Sequence, residues 1–236
     1  MSRTEELAQR LARTRERTVA AARAAGRDPG ELTLVVVTKF FPADDVRRLA
    51  GLGVADAGES RDQEASVKAA ELADLDLRWH FVGQLQTNKA RSVARYADVV
   101  HSVDRTRLAA ALQAGAAHAG RRVGCFVQVD LAAALGLDVD AGRGGAVGED
   151  VLRVADAVAA GDELDLRGVM AVAPQGVEPA RAFEELARTA ERLRALHPGA
   201  VEVSAGMSGD LEQAVAAGAT HLRVGSAILG SRPPAR

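Results

Sequence analysis

A chain of 236 residues, 47% hydrophobic and 26% charged, has the composition of an ordinary globular protein and is long enough to bury a core without staples. A net charge of −2 and an aromatic content of 3% argue against nucleic acid as a partner, because phosphate binding needs clustered cations and base stacking needs rings. The single cysteine, Cys125, excludes an internal disulfide, no signal-peptide pattern opens the chain and no apolar run approaches the ~20 residues that cross a bilayer, so a cytoplasmic location with no membrane partner is expected.

The first predicted element is a helix over residues 1–26. Ser2 and Glu5 have capping-box spacing, and Leu7, Leu11, Thr14 and Thr18 form a helical stripe that Gly26 and Pro29 end. An apolar, β-branched run from Leu32 to Lys39 follows, the pattern of a strand buried on both faces. A short helix is expected around Val46–Ala50 and a second strand over Val54–Gly58. Ser60 and Gln63 form a second capping-box pair, predicting a helix to about Ala73. Trp79–Val82 reads as a strand, Asn88–Tyr96 as a helix and Val99–Val103 as a strand. Asp104 is the expected N-cap of an alanine-rich helix reaching Ala119.

Val123–Asp130 is the fifth predicted strand, with Cys125 read as a buried core thiol. The stretch from Leu131 to Gly148, with Gly142-Arg143-Gly144-Gly145, exceeds the usual strand-to-helix connection and reads as a functional or mobile loop. A helix over about Asp150–Ala160, a strand over Leu166–Val172, a helix over about Glu178–Leu196 and a strand over Val201–Ser204 come next. The turn Gly206–Asp210 leads to a helix ending at Ala217, Thr220–Val224 is the eighth strand, and Gly225–Gly230 starts a last short helix. The tail over 231–236 is expected to fray.

Eight strands alternating with helices, near the usual ~250 residues, predict an α/β fold: a single (β/α)8 TIM barrel over 1–236 with an extra N-terminal helix. The absence of Gly-x-Gly-x-x-Gly after the first strand removes the usual argument for a doubly wound dinucleotide-binding sheet.

Several strand ends carry chemistry. Of 30 Lys+Arg residues only Lys39, Lys68 and Lys89 are lysines. A chain that otherwise uses arginine keeps an amine at Lys39, and only an amine acts as a carbonyl nucleophile. Ser204 closes the seventh strand, while Gly225 and Ser226 open the last helix; backbone amides and hydroxyls there suit a phosphate, and Gly225 and Ser226 equally suit a tight turn and an N-cap. Arg223 stands two residues before Gly225; such an arginine is more often a salt-bridge partner than a ligand contact. Together a strand-end lysine, a phosphate cradle and an arginine between them outline pyridoxal 5′-phosphate (PLP) as the cofactor. Glu59 is open to a cofactor contact or a salt bridge to an arginine, Asn88 and Lys89 to a site role or simple solvation. Met207 is expected to pack, and His80 and His101, lacking metal-ligand spacing, to be satisfied in the core.

The stretch Trp79-His80-Phe81-Val82-Gly83-Gln84-Leu85-Gln86-Thr87-Asn88-Lys89 resembles the signature of the YggS-type pyridoxal phosphate homeostasis proteins. The other motifs come in that family's order: Val37-Thr38-Lys39, Gly58-Glu59, His101-Ser102-Val103-Asp104, Ser204-x-Gly206-Met207-Ser208-x-Asp210 and Arg223 to Gly230. The resemblance implies a barrel like the N-terminal domain of alanine racemase. It places PLP on Lys39 as an imine, the phosphate at Ser204, Gly225 and Ser226, and Arg223 at the ring nitrogen. Ser60, Ala205 and Ser226 stand where Asn, Met and Thr are common in the family, and Arg143 stands in a loop that often carries lysine.

The resemblance also implies what a racemase has and this sequence lacks. Alanine racemases use a tyrosine as second base and a separate β domain, whereas the one tyrosine here, Tyr96, falls near a helix end. An arginine at the ring nitrogen stays protonated and weakens PLP as an electron sink. The expected function is a PLP carrier in intracellular homeostasis, without catalytic residues, holding and delivering PLP to apo PLP-dependent enzymes as a monomer or weak homodimer. The alternatives are a PLP-dependent amino-acid racemase or related enzyme, and a barrel for another phosphorylated metabolite.

Overall fold

Eight parallel strands close on themselves in sequence order, β1-β2-β3-β4-β5-β6-β7-β8. The structure, a computed structural model, describes residues 1–137 and 144–231. The strands are β1 (Thr33–Val37), β2 (Asp56–Glu59), β3 (Arg78–Phe81), β4 (Val99–Val103), β5 (Val123–Gln128), β6 (Leu164–Met170), β7 (Glu202–Ser204) and β8 (His221–Val224). The connecting helices are α1 (Arg3–Ala24), α2 (Ala43–Gly51), α3 (Asp62–Glu71), α4 (Ala90–Val93), α5 (Thr106–Ala119), α6 (Leu131–Ala134), α7 (Glu149–Ala159), α8 (Pro179–Leu196), α9 (Leu211–Ala216) and α10 (Ser226–Leu229). This is the expected (β/α)8 barrel with an added N-terminal helix.

Helix α1 starts as its sequence dictates. The Ser2 hydroxyl accepts from the Glu5 amide at 3.2 Å, and the Glu5 carboxylate accepts from the Ser2 amide at 2.7 Å. Its stripe of Leu7, Leu11, Thr14 and Thr18 is buried against α9 and α10. Two arginines of α1 reach the carboxyl end of the barrel: Arg3 donates to the Leu229 carbonyl at 3.1 Å and Arg17 to the Ser208 carbonyl at 2.6 Å. The extra helix thus braces the segments that follow β7 and β8.

Four expectations are corrected. Helix α3 begins at Asp62 with Arg61 as its N-cap, and no side chain caps it, so Ser60 and Gln63 form no capping box. Ser60 is instead fixed by the crossing of the β2 and β3 ends: a Cβ on Gly83 would lie 2.2 Å from the Ser60 carbonyl oxygen, so only glycine fits there. Helix α5 begins at Thr106 with Arg105 as N-cap; Asp104 pairs with the Arg105 guanidinium rather than capping. The expected helix over Asn88–Tyr96 is a 3-10 turn, Thr87–Lys89, followed by the single turn of α4. The segment after β5 opens with α6, where the Asp130 carboxylate accepts from the Ala132 amide at 3.0 Å and the Ala133 amide at 3.2 Å. Gly142, Arg143 and the tail over 232–236 lie outside the described residues. Among the described residues no helix is long and apolar enough to cross a membrane.

Apolar side chains fill the space between strands and helices, with Leu49, Leu108, Leu112, Phe183, Leu186 and Val224 among those fully buried. The barrel interior is different. Asp56, His80, His101, Ser204 and Arg223 are buried there and hydrogen-bond to one another, against Phe126 and Met170. Burial leaves polar groups no water, so each must find a protein partner.

Candidate functional site

Barrel closure brings the two ends of the chain's strand order together. Val35 pairs with Arg223 and Val36 with Val224 across β1 and β8, while Val37 pairs with Gly58 across β1 and β2. Lys39 therefore emerges beside Gly225 at the carboxyl end, two residues beyond β1 rather than at its last position. A cavity of about 440 Å3 opens there, lined by Lys39, Phe40, Met207, Ser208, Arg223, Gly225 and Ser226 among others. That is the size of a small-molecule site.

The backbone on both sides of Lys39 is clamped. Before it, the Thr38 carbonyl accepts from Lys68 Nζ at 3.0 Å and the Thr38 hydroxyl donates to Glu59 Oε1 at 2.7 Å. After it, the Phe40 amide donates to Glu64 Oε1 at 2.7 Å. Lys68 joins the two halves through Glu59 at 2.8 Å and Glu64 at 2.6 Å. Burial pushes the Glu59 carboxyl up, while Lys68 and the Thr38 hydroxyl pull it down. Phe40 has φ 72°, a conformation that bulky residues seldom adopt, and its ring lies 4.8 Å from the Arg61 guanidinium. The strained residue thus directly follows Lys39 in a turn whose backbone is fixed on both sides. Glu59 pairs with a lysine, where an arginine or a cofactor contact was expected.

Arg223 borders the same cavity and is buried. One nitrogen donates to Ser204 Oγ at 2.5 Å and another to the Ala171 carbonyl at 2.8 Å. Burial pulls its pKa down to about 10, which leaves it a cation at neutral pH. Among the described residues no carboxylate lies within ion-pair distance of it, and Asp210 acts only from farther away. A buried cation satisfied by neutral groups is suited to a ligand that brings an acceptor.

The turn after β7 explains its own motif. Gly206 has φ 89°, and a Cβ there would lie 2.7 Å from that of Ala214, so the turn needs glycine. Asp210 Oδ1 accepts from the Met207 amide at 2.6 Å and closes the turn. Ser208 is then presented at the cavity, its Oγ accepting from the Ser226 hydroxyl at 3.2 Å and the Ala227 amide at 3.3 Å. Gly225 allows close approach, because a Cβ would lie 3.1 Å from the Val37 carbonyl oxygen.

Lys39, Arg223, Gly225 and Ser226 are thus brought together, and Ser204 is not. Its hydroxyl is fully buried behind Arg223 and engages Arg223 and His101 Nδ1, the latter at 2.8 Å. Ser208 takes the place at the cavity that strand counting gave to Ser204. Met207, expected only to pack, lines the cavity. Lys89 lies 4.0 Å from Asp62 beside a separate depression that it lines with Ser60 and Gln84. Tyr96 lies away from the Lys39 cavity; burial, Asp62 and Glu59 push its phenol up, the wrong direction for a base. His80 and His101 are core histidines satisfied by hydrogen bonds, as expected. Lys68 and Glu64 escaped sequence reading, although the rarity of lysine that singled out Lys39 applied equally to Lys68.

The residues fit the group that the sequence outlined. An amine, a buried cation and a rim of hydroxyls and amides surround one cavity, which matches the aldehyde, ring nitrogen and phosphate of PLP. Comparison with known proteins adds to this. Residues 11–233 match the family described as alanine racemase, N-terminal domain. The chain is 44% identical over 249 residues to the pyridoxal phosphate homeostasis protein of Mycobacterium tuberculosis, covering 98% of this chain and 94% of that one. Among solved structures it is similar to PipY of Synechococcus elongatus with PLP bound, at 34% identity and a TM-score of 0.81, over 95% of this chain and 100% of that one. Alanine racemase of Corynebacterium glutamicum shares the fold at 15% identity and a TM-score of 0.67, over 95% of this chain but 60% of that one.

Proposed function

We propose, from the premise that this chain belongs to the pyridoxal phosphate homeostasis protein family built on the alanine racemase N-terminal domain, that it binds PLP reversibly and holds it for delivery inside the cell. The observation that carries the reading is that Lys39, Arg223, Gly225, Ser208 and Ser226 all line one cavity.

When bound, PLP supplies an aldehyde that an amine captures reversibly as an imine. Lys39 is the amine, and the clamp formed by Glu59, Glu64 and Lys68 holds its backbone in place. Ser208 and Ser226 would offer hydroxyls to the phosphate, with Gly225 beside them on the same rim of the cavity. Ser204, first expected among the phosphate donors, acts through Arg223 instead. Arg223 would face the ring nitrogen. As a cation at neutral pH it would donate there and take no proton, so the ring nitrogen would receive a hydrogen bond without becoming protonated. That disfavours the carbanion chemistry a racemase requires. The raised phenol of Tyr96, away from the cavity, also supports holding over turnover.

The test is optical. Purified protein loaded with PLP and freed of the excess should show an imine absorbance band above the aromatic region that disappears on borohydride reduction, which leaves the cofactor covalently attached, and that Lys39→Ala lacks. No band in the wild type after added PLP rejects PLP binding through an imine and leaves another phosphorylated metabolite. Isotope exchange at the α-carbon of L- and D-amino acids separates carrier from racemase: rapid exchange rejects the carrier reading.

A further inference from the structure

A continuous chain of hydrogen bonds crosses the barrel from its amino end to the cavity. At the amino end Arg78, whose side chain is 62% exposed, donates to both oxygens of Asp56 at 2.7 Å. Asp56 Oδ1 then meets His80 Nε2 at 2.9 Å, and His80 Nδ1 meets His101 Nε2 at 2.9 Å. His101 Nδ1 meets Ser204 Oγ at 2.8 Å, and Ser204 Oγ meets Arg223 at 2.5 Å. Phe126 stacks on His101 with ring centroids 4.7 Å apart.

The ends of this chain set its direction. Arg223 only donates, so the oxygen of Ser204 accepts from it. Asp56, gripped by Arg78, is a carboxylate and only accepts, so His80 carries its proton on Nε2. Burial opposes that charge, yet the hydrogen bonds from His80 and Arg78 outweigh it and hold the carboxyl at about 2. With His80 neutral, its Nδ1 accepts, so His101 Nε2 donates. With His101 neutral, its own Nδ1 accepts, so Ser204 donates its hydroxyl proton inward. Three protons fill three bonds, and no donor or acceptor is left over.

An extra proton on either imidazole breaks this pattern. His101 Nδ1 would then donate to Ser204, whose oxygen would receive two donors and whose own proton would have no acceptor inside the barrel. A buried donor left without a partner loses its hydration with nothing in return, which disfavours this state. Charges around the rings act in both directions: Arg223 opposes a proton on His101, while the carboxylate of Asp56 favours one on His80, so the hydrogen-bond pattern decides. Arg223 stands beyond Ser204 from His101, and His221, 6.3 Å from the His80 ring and 6.2 Å from the His101 ring, lies 3.9 Å from Glu202 on β7. Arg167 on β6 pairs with Asp165 and Glu202 nearby.

We propose that Asp56, His80 and His101 are positioning residues of the site: they turn the Ser204 hydroxyl inward, so that its oxygen holds the Arg223 fork at the cavity floor. Burying an aspartate, two histidines and an arginine in a barrel that Val and Leu could fill serves orientation of Arg223. The consequence for the ligand rests on the PLP reading; the direction of the hydrogen bonds does not.

Two measurements test this. In ligand-free protein carrying 15N-labelled histidine at neutral pH, both buried imidazoles should be neutral with the proton on Nε2, their signals assigned by loss in His80→Asn and His101→Asn. A proton on Nδ1 of either ring, alone or added, overturns the assigned direction. This measurement needs no ligand, so a failure of PLP binding leaves it decisive. In the PLP-loaded protein Ser204→Ala and His101→Phe should each weaken PLP retention roughly tenfold, the effect of one hydrogen bond to a charged group. Both should shift the absorbance maximum in the same sense, because both release Arg223, and Ser204→Thr should restore it. A role in folding alone would lower the melting temperature and leave the spectrum unmoved; unchanged spectrum and affinity in Ser204→Ala overturn the positioning role.

Discussion

The ammonium of Lys68 lies 3.0 Å from the carbonyl oxygen of Thr38, so one buried lysine fixes the backbone from which another, Lys39, projects. Lys68 also neutralises Glu59, and their side chains are 7% and 1% exposed. Such a pair contributes little over an apolar pair of the same shape, but losing one member leaves a bare buried charge. Lys68→Ala is expected to destabilise the fold by about 3–5 kcal/mol and to slow capture of PLP at Lys39. Urea unfolding checks the first effect, and a Lys68→Met, Glu59→Gln double variant should recover most of the stability. If the double variant is no more stable than Lys68→Ala, Lys68 is not acting through the Glu59 charge.

Acid should destabilise the fold in two stages. Burial pulls the His221 pKa from 6.5 to about 4 and that of His101 well below 6.5, while the unfolded chain protonates near the ordinary value. Stability is full above about pH 6.5 and falls as pH drops through it, because the unfolded state takes up protons that the fold refuses. For His221 the loss levels off near its folded value and amounts to something on the order of 3 kcal/mol. Asp56 contributes the second stage. Its carboxyl is held at about 2 against 3.8, so its stabilisation is present above 3.8 and is lost as pH falls to about 2. Urea midpoints across this range test both stages; a flat profile from neutral pH to about 4.5 contradicts the first.

Gly168 should tolerate no side chain. It pairs with Glu202 across β6 and β7 at φ 152°, and a Cβ would come within 1.8 Å of the Glu202 carbonyl oxygen. Gly168→Ala must part the two strands that carry Arg167 and Ser204, at a cost of at least ~3 kcal/mol. Circular dichroism and thermal melting of the variant give the answer, and a melting curve like the wild type would falsify the close contact.

The Cys125 thiol is expected to be inert. It is completely buried in β5, and burial pushes its pKa up to about 12. A thiol reagent should titrate no cysteine in the native protein and one per chain in denaturant. Rapid labelling of the folded protein would mean that the β5 region opens easily.

Much of this architecture is legible in one dimension. Strand count, the helical stripe of α1 and its capping box follow from periodicity and local hydrogen bonding, which need no distant partner. That Lys39, Arg223, Gly225 and Ser226 would meet at one end of the barrel was legible because strand ends face one way in a parallel barrel. The failures share a cause as well. Ser60 and Asp104 have good capping chemistry, but the crossing at Gly83 and the pull of Arg105 decided their places. Ser204 looked like a phosphate donor by position; whether a strand-end hydroxyl faces out or in depends on what stands opposite across the barrel. His101 is 103 residues away from it in sequence, and Lys68 is 30 residues from Thr38. The sequence by itself determined which groups the chain could offer. Only closure of the barrel decided which were spent on one another, because buried polar groups pair with whatever the fold brings within 3 Å or so.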